Sequence, residues 1–182
     1  YIGTSSSFTA SGTSMAAPHV TGALALLKAR FPTDTHRQLI NRLLRGTERY
    51  TTYTGRALTS GRLNLQRALS GTVNRPFNDD FATRAVLSGP TVITRGSNVG
   101  ATAETNEPRH ADLANATTTL WYQWTPTTTG RAVVHTAGSD YDTGLAVYTG
   151  LTLATLTRAA ANDDRSASDK TSFLVLDIQA GV

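Results

Sequence analysis

The apolar residues in the first part of the chain repeat with the period of an α-helix. Four of them follow the i, i+3, i+4, i+7 spacing of one helix face: Val20, Ala23, Leu24 and Leu27. This spacing predicts a helix from about Thr13 to Arg30, which ends where Phe31 precedes a proline. Because Ala25 and Leu26 fill the opposite side, the helix is apolar nearly all round, and we expect it to be buried on every side.

A second helix is predicted to start near Thr35, which forms a capping box with Gln38. Its buried stripe is predicted to consist of Leu39, Ile40, Leu43 and Leu44. Gly46 follows at the position where a helix commonly ends in a left-handed glycine. The pattern therefore predicts one amphipathic helix that packs against the first.

The helical part closes with a third, short helix at about 65–69. Asn64 is its predicted N-cap, and Gly71 follows its end. The polar segment 71–76 after it is typical of a linker, so we assign residues 1–70 to a first domain.

From residue 77 onward the pattern changes to short strands separated by turn residues. The candidate strands are Thr91–Thr94, Leu120–Trp124, Arg131–Thr136, Leu145–Tyr148 and Ser172–Ile178. Their fairly regular spacing predicts an all-β sandwich, or a jelly-roll-like fold, over residues 77–182. We expect this second domain to be truncated at its C-terminus, because the last predicted strand lies close to the end of the chain.

Charge is distributed unevenly between the two parts. Residues 1–75 contain ten Lys/Arg and two Asp/Glu, a net charge of +8, whereas residues 76–182 contain seven and eleven, a net charge of −4. The basic side chains are scattered over polar helix faces without interleaved aromatic residues, which argues against nucleic-acid binding. No apolar run reaches the roughly 18 residues of a membrane helix, so we expect no membrane partner. The absence of cysteine excludes disulfides and thiol chemistry.

The segment with the clearest chemistry lies at the start of the first helix. Gly12 permits a sharp turn, and Ser14 then occupies the first helical turn, where backbone N–H groups lack helical partners. These donors favour a developing anion, such as the one formed when a serine oxygen attacks a carbonyl. Pro18 has no N–H, so the Ser14 carbonyl lacks its usual hydrogen bond.

Residues 12–20, with the sequence GTSMAAPHV, resemble the nucleophile motif of the subtilase family of serine proteases. Residues 60–64 and the Ala68-Leu69 pair are similar to the end of that catalytic domain, so the resemblance covers about residues 1–70. It implies the C-terminal, mostly helical portion of a doubly wound α/β domain, with Ser14 as nucleophile of a Ser–His–Asp triad. In the subtilisin chain order, Asp and His precede the serine, and the family's oxyanion asparagine also lies upstream. The thirteen residues before Ser14 contain none of these. We therefore expect an internal start and an inactive fragment.

Two other patterns could be mistaken for triad residues. His19 is close to Ser14 in sequence, but five helical residues rotate by about 500°, so the two side chains diverge. We interpret His19 as structural and His36 as solvent-facing. Residues 142–144 (DTG) match the aspartate motif of subtilases and of aspartic proteases, but they follow Ser14 and are better explained as a turn.

The second part resembles the β-sandwich domains of the pre-peptidase C-terminal type that follow secreted bacterial peptidases. The resemblance covers about residues 77–182, with motifs at residues 78–81, 98–102, 107–111, 120–124, 138–143, 145–150 and 162–164. It implies a binding, maturation or secretion function and an extracellular location.

Several acidic and aromatic residues in this part are candidates for ligand binding. Five could offer oxygen ligands to Ca²⁺: Asn78, Asp79, Asp80, Asp163 and Asp164. They lack EF-hand spacing, so we interpret them as turn and cap residues and assign no cofactor. Trp121 and Trp124 could form a binding platform, but they lie on opposite faces of one strand, so at least one is expected in the core.

Together the sequence predicts a subtilisin-like serine endopeptidase that acts on proteins or peptides, with Ser14 as the one catalytic residue in this chain. Two alternatives remain at this stage: a non-catalytic module that binds protein or polysaccharide, and a pseudoprotease that retains Ser14 without its partners.

Overall fold

A computed structural model describes residues 10–71, 75–113 and 117–182. The helices are α1 (Thr13–Arg30), α2 (His36–Arg45) and α3 (Leu65–Ser70). The strands are β1 (Glu48–Arg49), β2 (Gly61–Arg62), β3 (Ala85–Leu87), β4 (Tyr122–Trp124), β5 (Gly130–His135), β6 (Leu145–Thr149), β7 (Thr157–Asn162) and β8 (Phe173–Ile178). Short 3₁₀ helices lie at Thr51–Tyr53, Phe81–Thr83 and Leu153–Thr155. The predicted linker lies partly at residues 72–74, outside the described residues.

Helix α1 has the bounds that its apolar spacing predicts, Thr13–Arg30. It is not buried on every side, however, because its main packing is with α2 and α3, around Ala23 and Leu27. Leu26 is 51% exposed, and Val20, on the same face as Ala23 but nearer the N-terminus, is exposed as well. Among the described helices, none is both long enough and apolar enough to cross a membrane.

The predicted capping box at the start of α2 is confirmed. The Thr35 hydroxyl accepts a hydrogen bond from the Gln38 N–H at 3.4 Å, and the Gln38 side chain accepts one from the Thr35 N–H at 2.9 Å. Leu39 and Leu43 are buried, and Leu44 packs beside them. The prediction was wrong for Ile40, which is 42% exposed. Its direction around the helix lies between those of Leu43 and Leu44, but Ile40 is one turn nearer the N-terminus than Leu44, where the core does not reach it.

Gly46 ends α2 for a different reason from the predicted one. Its backbone is right-handed, with φ −72° and ψ −7°, so no left-handed cap is formed. A Cβ at this position would lie 2.6 Å from the backbone nitrogen of Ala68, which is too close for any real side chain. Glycine therefore permits α3 to cross directly over the end of α2. The predicted N-cap of α3 is confirmed, since Asn64 accepts from the Arg67 N–H at 3.0 Å.

An arginine closes the edge of the small helical core. The core consists of Ala23, Leu27, Leu39, Leu43 and Ala68. Arg42 is buried beside it and donates to Asp34 Oδ2 and to the Gly71 carbonyl, both at 2.6 Å. Its guanidinium also lies 3.6 Å from the centroid of the Phe31 ring, a cation–π contact. Arg42 thus connects the α1–α2 turn to the end of α3.

The described strands pair as four separate two-stranded ladders. β1 pairs with β2, β5 with β8 and β6 with β7, all antiparallel, whereas β3 pairs with β4 in parallel. The β5–β8 ladder joins Gly130 to Ile178 and His135 to Phe173 in one continuous register. The Asn162 side chain at the end of β7 accepts from the Phe173 N–H at 2.9 Å, which connects the two longer ladders. The described residues thus confirm a β-rich second part, and the sandwich stays a prediction.

One predicted strand is absent from the described residues, and four of the observed strands were not predicted: the short pair β1 and β2 in the first part, and β3 and β7 in the second. The segment Thr91–Thr94 is not paired, although its residues favour strands, and Ile93 is 95% exposed. β3 and β7 lack alternating apolar residues, and β7 contains three consecutive alanines. β3 and β7 form strands because they pair with β4 and β6. This pairing is a tertiary effect that the local sequence pattern does not predict.

The two parts of the chain are joined by a network of ion pairs. Arg45, the last residue of α2, donates to the Pro76 carbonyl at 2.8 Å and to Asp80 Oδ2 at 2.9 Å. Arg75 lies 2.6 Å from Asp79 Oδ2, and Asp79 is fully buried. Asp79 also accepts from the Thr102 N–H at 2.6 Å. The end of α2 and the start of the β-rich part are therefore held together by charge.

We predict that Gly46→Ala destabilises the chain by about 1–3 kcal/mol, because the new methyl group overlaps the Ala68 backbone. Gly22→Ala is the matched control. A Cβ at residue 22 would have no neighbouring atom within 4 Å, and alanine is the better helix former, so this change should stabilise α1 by about 0.5–1 kcal/mol. Urea unfolding followed by circular dichroism measures the free energy of unfolding of both variants. Equal changes in this free energy would contradict the close crossing of α3 over Gly46.

We also predict that Asp79→Asn lowers the free energy of unfolding by about 3 kcal/mol. The substitution keeps the shape but removes the buried negative charge that pairs with Arg75. Asp177→Asn is the control, because the Asp177 side chain is 91% exposed and its arginine partner lies 3.8 Å away. An Asp79 variant that is as stable as the Asp177 variant in urea unfolding would show that the pair contributes little.

Candidate functional site

Ser14 is the second residue of α1 and lies on the surface of this chain. Gly12 precedes the helix with φ 142° and ψ 169°, a backbone conformation that residues with a Cβ rarely adopt. The Gly12 carbonyl accepts from the N–H groups of Met15 and Ala16, both at 3.1 Å. The predicted sharp turn into the helix is therefore present. It leaves the backbone N–H of Ser14 in the first turn, where a helix offers no acceptor.

Pro18 lies one turn further along α1, as the sixth helical residue. It cannot donate to the Ser14 carbonyl, so the helical hydrogen bond that would normally engage this group is missing. The serine thus sits in a turn whose backbone is less fully hydrogen-bonded than the rest of α1.

The histidines closest in sequence to Ser14 do not serve it as a base. His19 Nδ1 lies 2.7 Å from the Met15 carbonyl, so its ring folds back onto its own helix. His36 is the first residue of α2 and is exposed. Both locations agree with the sequence interpretation. Among the residues that the structure describes, no side chain hydrogen-bonds to the Ser14 hydroxyl.

The segment 142–144 leads directly into β6 and has a structural function. The Thr143 hydroxyl is buried and lies 2.6 Å from that of Thr136 and 3.3 Å from that of Ser172. A Cβ on Gly144 would lie 2.5 Å from Cδ1 of Leu113, so a larger residue would displace that side chain. The aspartate motif is thus explained by packing between β5, β6 and β8.

The acidic candidates for a cation fall into two groups with different surroundings. Asp79 and Asp80 are paired with Arg75 and Arg45, so their charges are already balanced. The Asn78 amide donates to the Trp121 carbonyl at 3.1 Å. These three residues are therefore explained as structural.

The other group joins Asp163 and Asp164 to Asp142, whose ligand potential the sequence did not indicate. One carboxylate oxygen from each lies within 4.8 Å of the others, so among the described residues these three could hold a cation. Lys170 contacts Asp164, and this hydrogen bond raises the pKa of the lysine. A cation would compete with that ammonium group. The feature that could have identified Asp142 as a ligand is the antiparallel pairing of β6 with β7. This pairing brings the residues that precede β6 close to those that follow β7.

The tryptophans do not form a binding platform. Trp121 is buried, and its indole N–H donates to the Glu107 carboxylate at 3.0 Å. His110 packs edge-on to Trp121 and lies 3.0 Å from the Tyr148 hydroxyl. Burial raises the pKa of Tyr148. Trp124 donates to the Gly89 carbonyl at 2.9 Å. The expectation that at least one tryptophan lies in the core is confirmed.

Comparison with protein families finds a match to the model of the Subtilase family over residues 3–76. The matched segment contains Ser14 and residues 60–64, but it is less than half of the chain. It supports the subtilase family, and with it a serine protease, for the helical part. Comparison with curated proteins finds no similar sequence, and comparison with solved structures finds no similar fold.

Proposed function

We propose that this chain is part of a subtilisin-like serine endopeptidase in which Ser14 is the nucleophile. One observation carries the proposal: a segment that matches the subtilase family contains Ser14 in the first turn of α1, two residues after Gly12, whose positive φ forms the turn into the helix. A surface serine at a helix start has an accessible oxygen and nearby unpaired N–H groups. These are the features that acyl transfer requires of a nucleophile.

In the proposed reaction the Ser14 oxygen attacks the carbonyl carbon of a peptide bond. A histidine takes the serine proton and then donates a proton to the leaving amine, and an aspartate orients that histidine. The backbone N–H of Ser14 donates to the oxyanion as it forms. Water then cleaves the acyl-enzyme and regenerates the hydroxyl group. The histidine and aspartate come from outside residues 14–182, since the order Asp, His, Ser places them upstream.

We further propose that residues 77–182 form an accessory β-sandwich domain of the pre-peptidase C-terminal type in a secreted bacterial protease. The support is the series of sequence motifs and the β-rich second part, with its two longer antiparallel ladders. The substrates would be proteins or peptides. The alternatives are a purely binding fragment and a pseudoprotease, and the kinetics of the complete parent protein, described below, separate them from the protease.

We predict that the chain of residues 1–182 alone hydrolyses no peptide. Without a base, the Ser14 hydroxyl is a weak nucleophile at neutral pH. The measurement is incubation with casein and with a fluorophosphonate probe, followed by mass spectrometry of the α1 peptide. Stoichiometric labelling of Ser14, or release of casein fragments, would mean that a base exists within these residues.

We predict that Ser14→Ala in the complete parent protein lowers kcat by about a million-fold, the loss known for subtilisin itself. Folding should be unaffected, since alanine is favourable in a helix. His19→Gln is the matched control and should retain most activity, because His19 contacts its own helix. Kinetics and melting temperatures are measured together. Two results would refute the assignment: near-normal turnover by the Ser14 variant, or an equal loss in a folded His19 variant. A parent that is inactive as wild type would favour the pseudoprotease.

A further inference from the structure

A shallow groove separates the helical part from the β-rich part, on residues that the proposed reaction does not use. Its volume is about 250 Å³. One wall is the loop 55–58, a second is β3 with Ser88, and a third is the segment Val92–Thr94. The Ser88 hydroxyl donates to the Gly55 carbonyl at 2.6 Å, which fixes the first two walls relative to each other.

β3 presents an unpaired edge to this groove. In its parallel ladder with β4, the Ala85 N–H donates to the Trp121 carbonyl, so residues 85 and 87 face β4. The N–H and carbonyl of Val86 must then point to the opposite side. Neither of them bonds to another described residue. An unpaired strand edge is a template for a further strand.

The segment Thr91–Thr94 supplies an apolar wall with no partner of its own. Its sequence favours a strand, yet its backbone makes no hydrogen bond to any described residue. Val92 is 39% exposed and Ile93 is 95% exposed. Exposed β-branched side chains beside a free strand edge are typical of a surface that binds an extended segment.

Among the described residues, the groove is lined by one charged side chain, Arg56, and by no carboxylate. Arg95 directly follows the wall Val92–Thr94, and neither arginine forms an ion pair with a described residue. The sequence contains no Asp or Glu from residue 49 to 78 or from 81 to 103. Asp79 and Asp80, between these ranges, are engaged by Arg75 and Arg45. The groove therefore complements a negatively charged partner.

We propose that this groove binds an extended acidic peptide, which adds a strand to the free edge of β3. The backbone of the peptide would exchange hydrogen bonds with Val86. Its apolar side chains would pack on Val92 and Ile93, and its carboxylates would face Arg56 and Arg95. Hydrogen bonds to the main chain supply affinity in this mode of recognition, and the charges select the partner. The proposal does not depend on the assignment of Ser14.

The test measures binding of the labelled peptide Glu-Val-Glu-Val-Glu-Val-Glu to the whole chain by fluorescence anisotropy, with Lys-Val-Lys-Val-Lys-Val-Lys as the control peptide. The acidic peptide should bind more tightly, and its affinity should fall as salt rises. Reversal of both groove charges, Arg56→Glu with Arg95→Glu, should weaken binding about tenfold. Arg131→Glu is the control variant, because its side chain is 75% exposed on β5, a strand that does not line the groove.

A second variant tests the strand edge. Val86→Pro removes an N–H that faces away from β4, so it should abolish binding while the melting temperature changes little. If the Val86→Pro variant does not fold, the charge-reversal variants still test the proposal. Four results would overturn the proposal. The first is equal binding of the acidic and the basic peptide, and the second is an equal loss of peptide affinity in the Arg131→Glu variant. The third is displacement of the acidic peptide by a single-stranded oligonucleotide of the same charge as effectively as by the unlabelled peptide. The fourth is a dimer of the chain that Ile93→Asp dissociates. The last would show that a second copy occupies the groove.

Discussion

The pair of aspartates at the start of the β-rich part, Asp79 and Asp80, is the constraint on which the arrangement of the two parts depends, and the ion pair of Asp80 with Arg45 joins them. A charge removed from water must be paired and hydrogen-bonded, and Asp79 meets this requirement through Arg75 and Thr102. Its neighbour Asp80 receives Arg45 from the end of α2. Asp80 cannot keep this partner if the helical part rotates away from the β-rich part, whereas the partners of Asp79 fix the start of the β-rich part itself. The amide of Asn41, which donates to the Val99 carbonyl at 3.1 Å, strengthens the same contact.

The helical part is organised around α2, which is held at this junction. α2 uses one face for its ionic contacts and another, with Leu39 and Leu43, for the small core against α1 and α3. That core holds the C-terminal half of α1 and leaves its N-terminal turn exposed. Ser14 is therefore presented at the far end of a helix that is anchored at its other end. Such a placement suits a nucleophile that other elements of a protease must surround.

The same junction shapes the basic groove. The Arg49 side chain donates to the Arg84 carbonyl at 3.2 Å, and the Ser88 hydroxyl donates to the loop at Gly55. Strand β3 is thus held beside the helical part, and one of its edges pairs with no described residue. The net charge of +8 on residues 1–75 has a local consequence here, because Arg56 lines the groove and no described acidic residue does. The proposed nucleophile Ser14 and the proposed peptide groove are separate features that the same junction positions.

The sequence by itself determined α1 and the cap of α2, because apolar spacing and local hydrogen bonds need no distant partner. It also determined Ser14 as the candidate nucleophile, since the motif around it is contiguous. Tertiary structure decided what depends on neighbours remote in sequence. Ile40 is exposed because the small core does not extend to its end of α2, and Gly46 is glycine because Ala68 crosses it. Thr91–Thr94 has the residues of a strand but no partner among the described residues, whereas β7 became a strand because β6 lies beside it. The grouping of Asp142 with Asp163 and Asp164 arose from that pairing, because a local pattern cannot specify which strands meet.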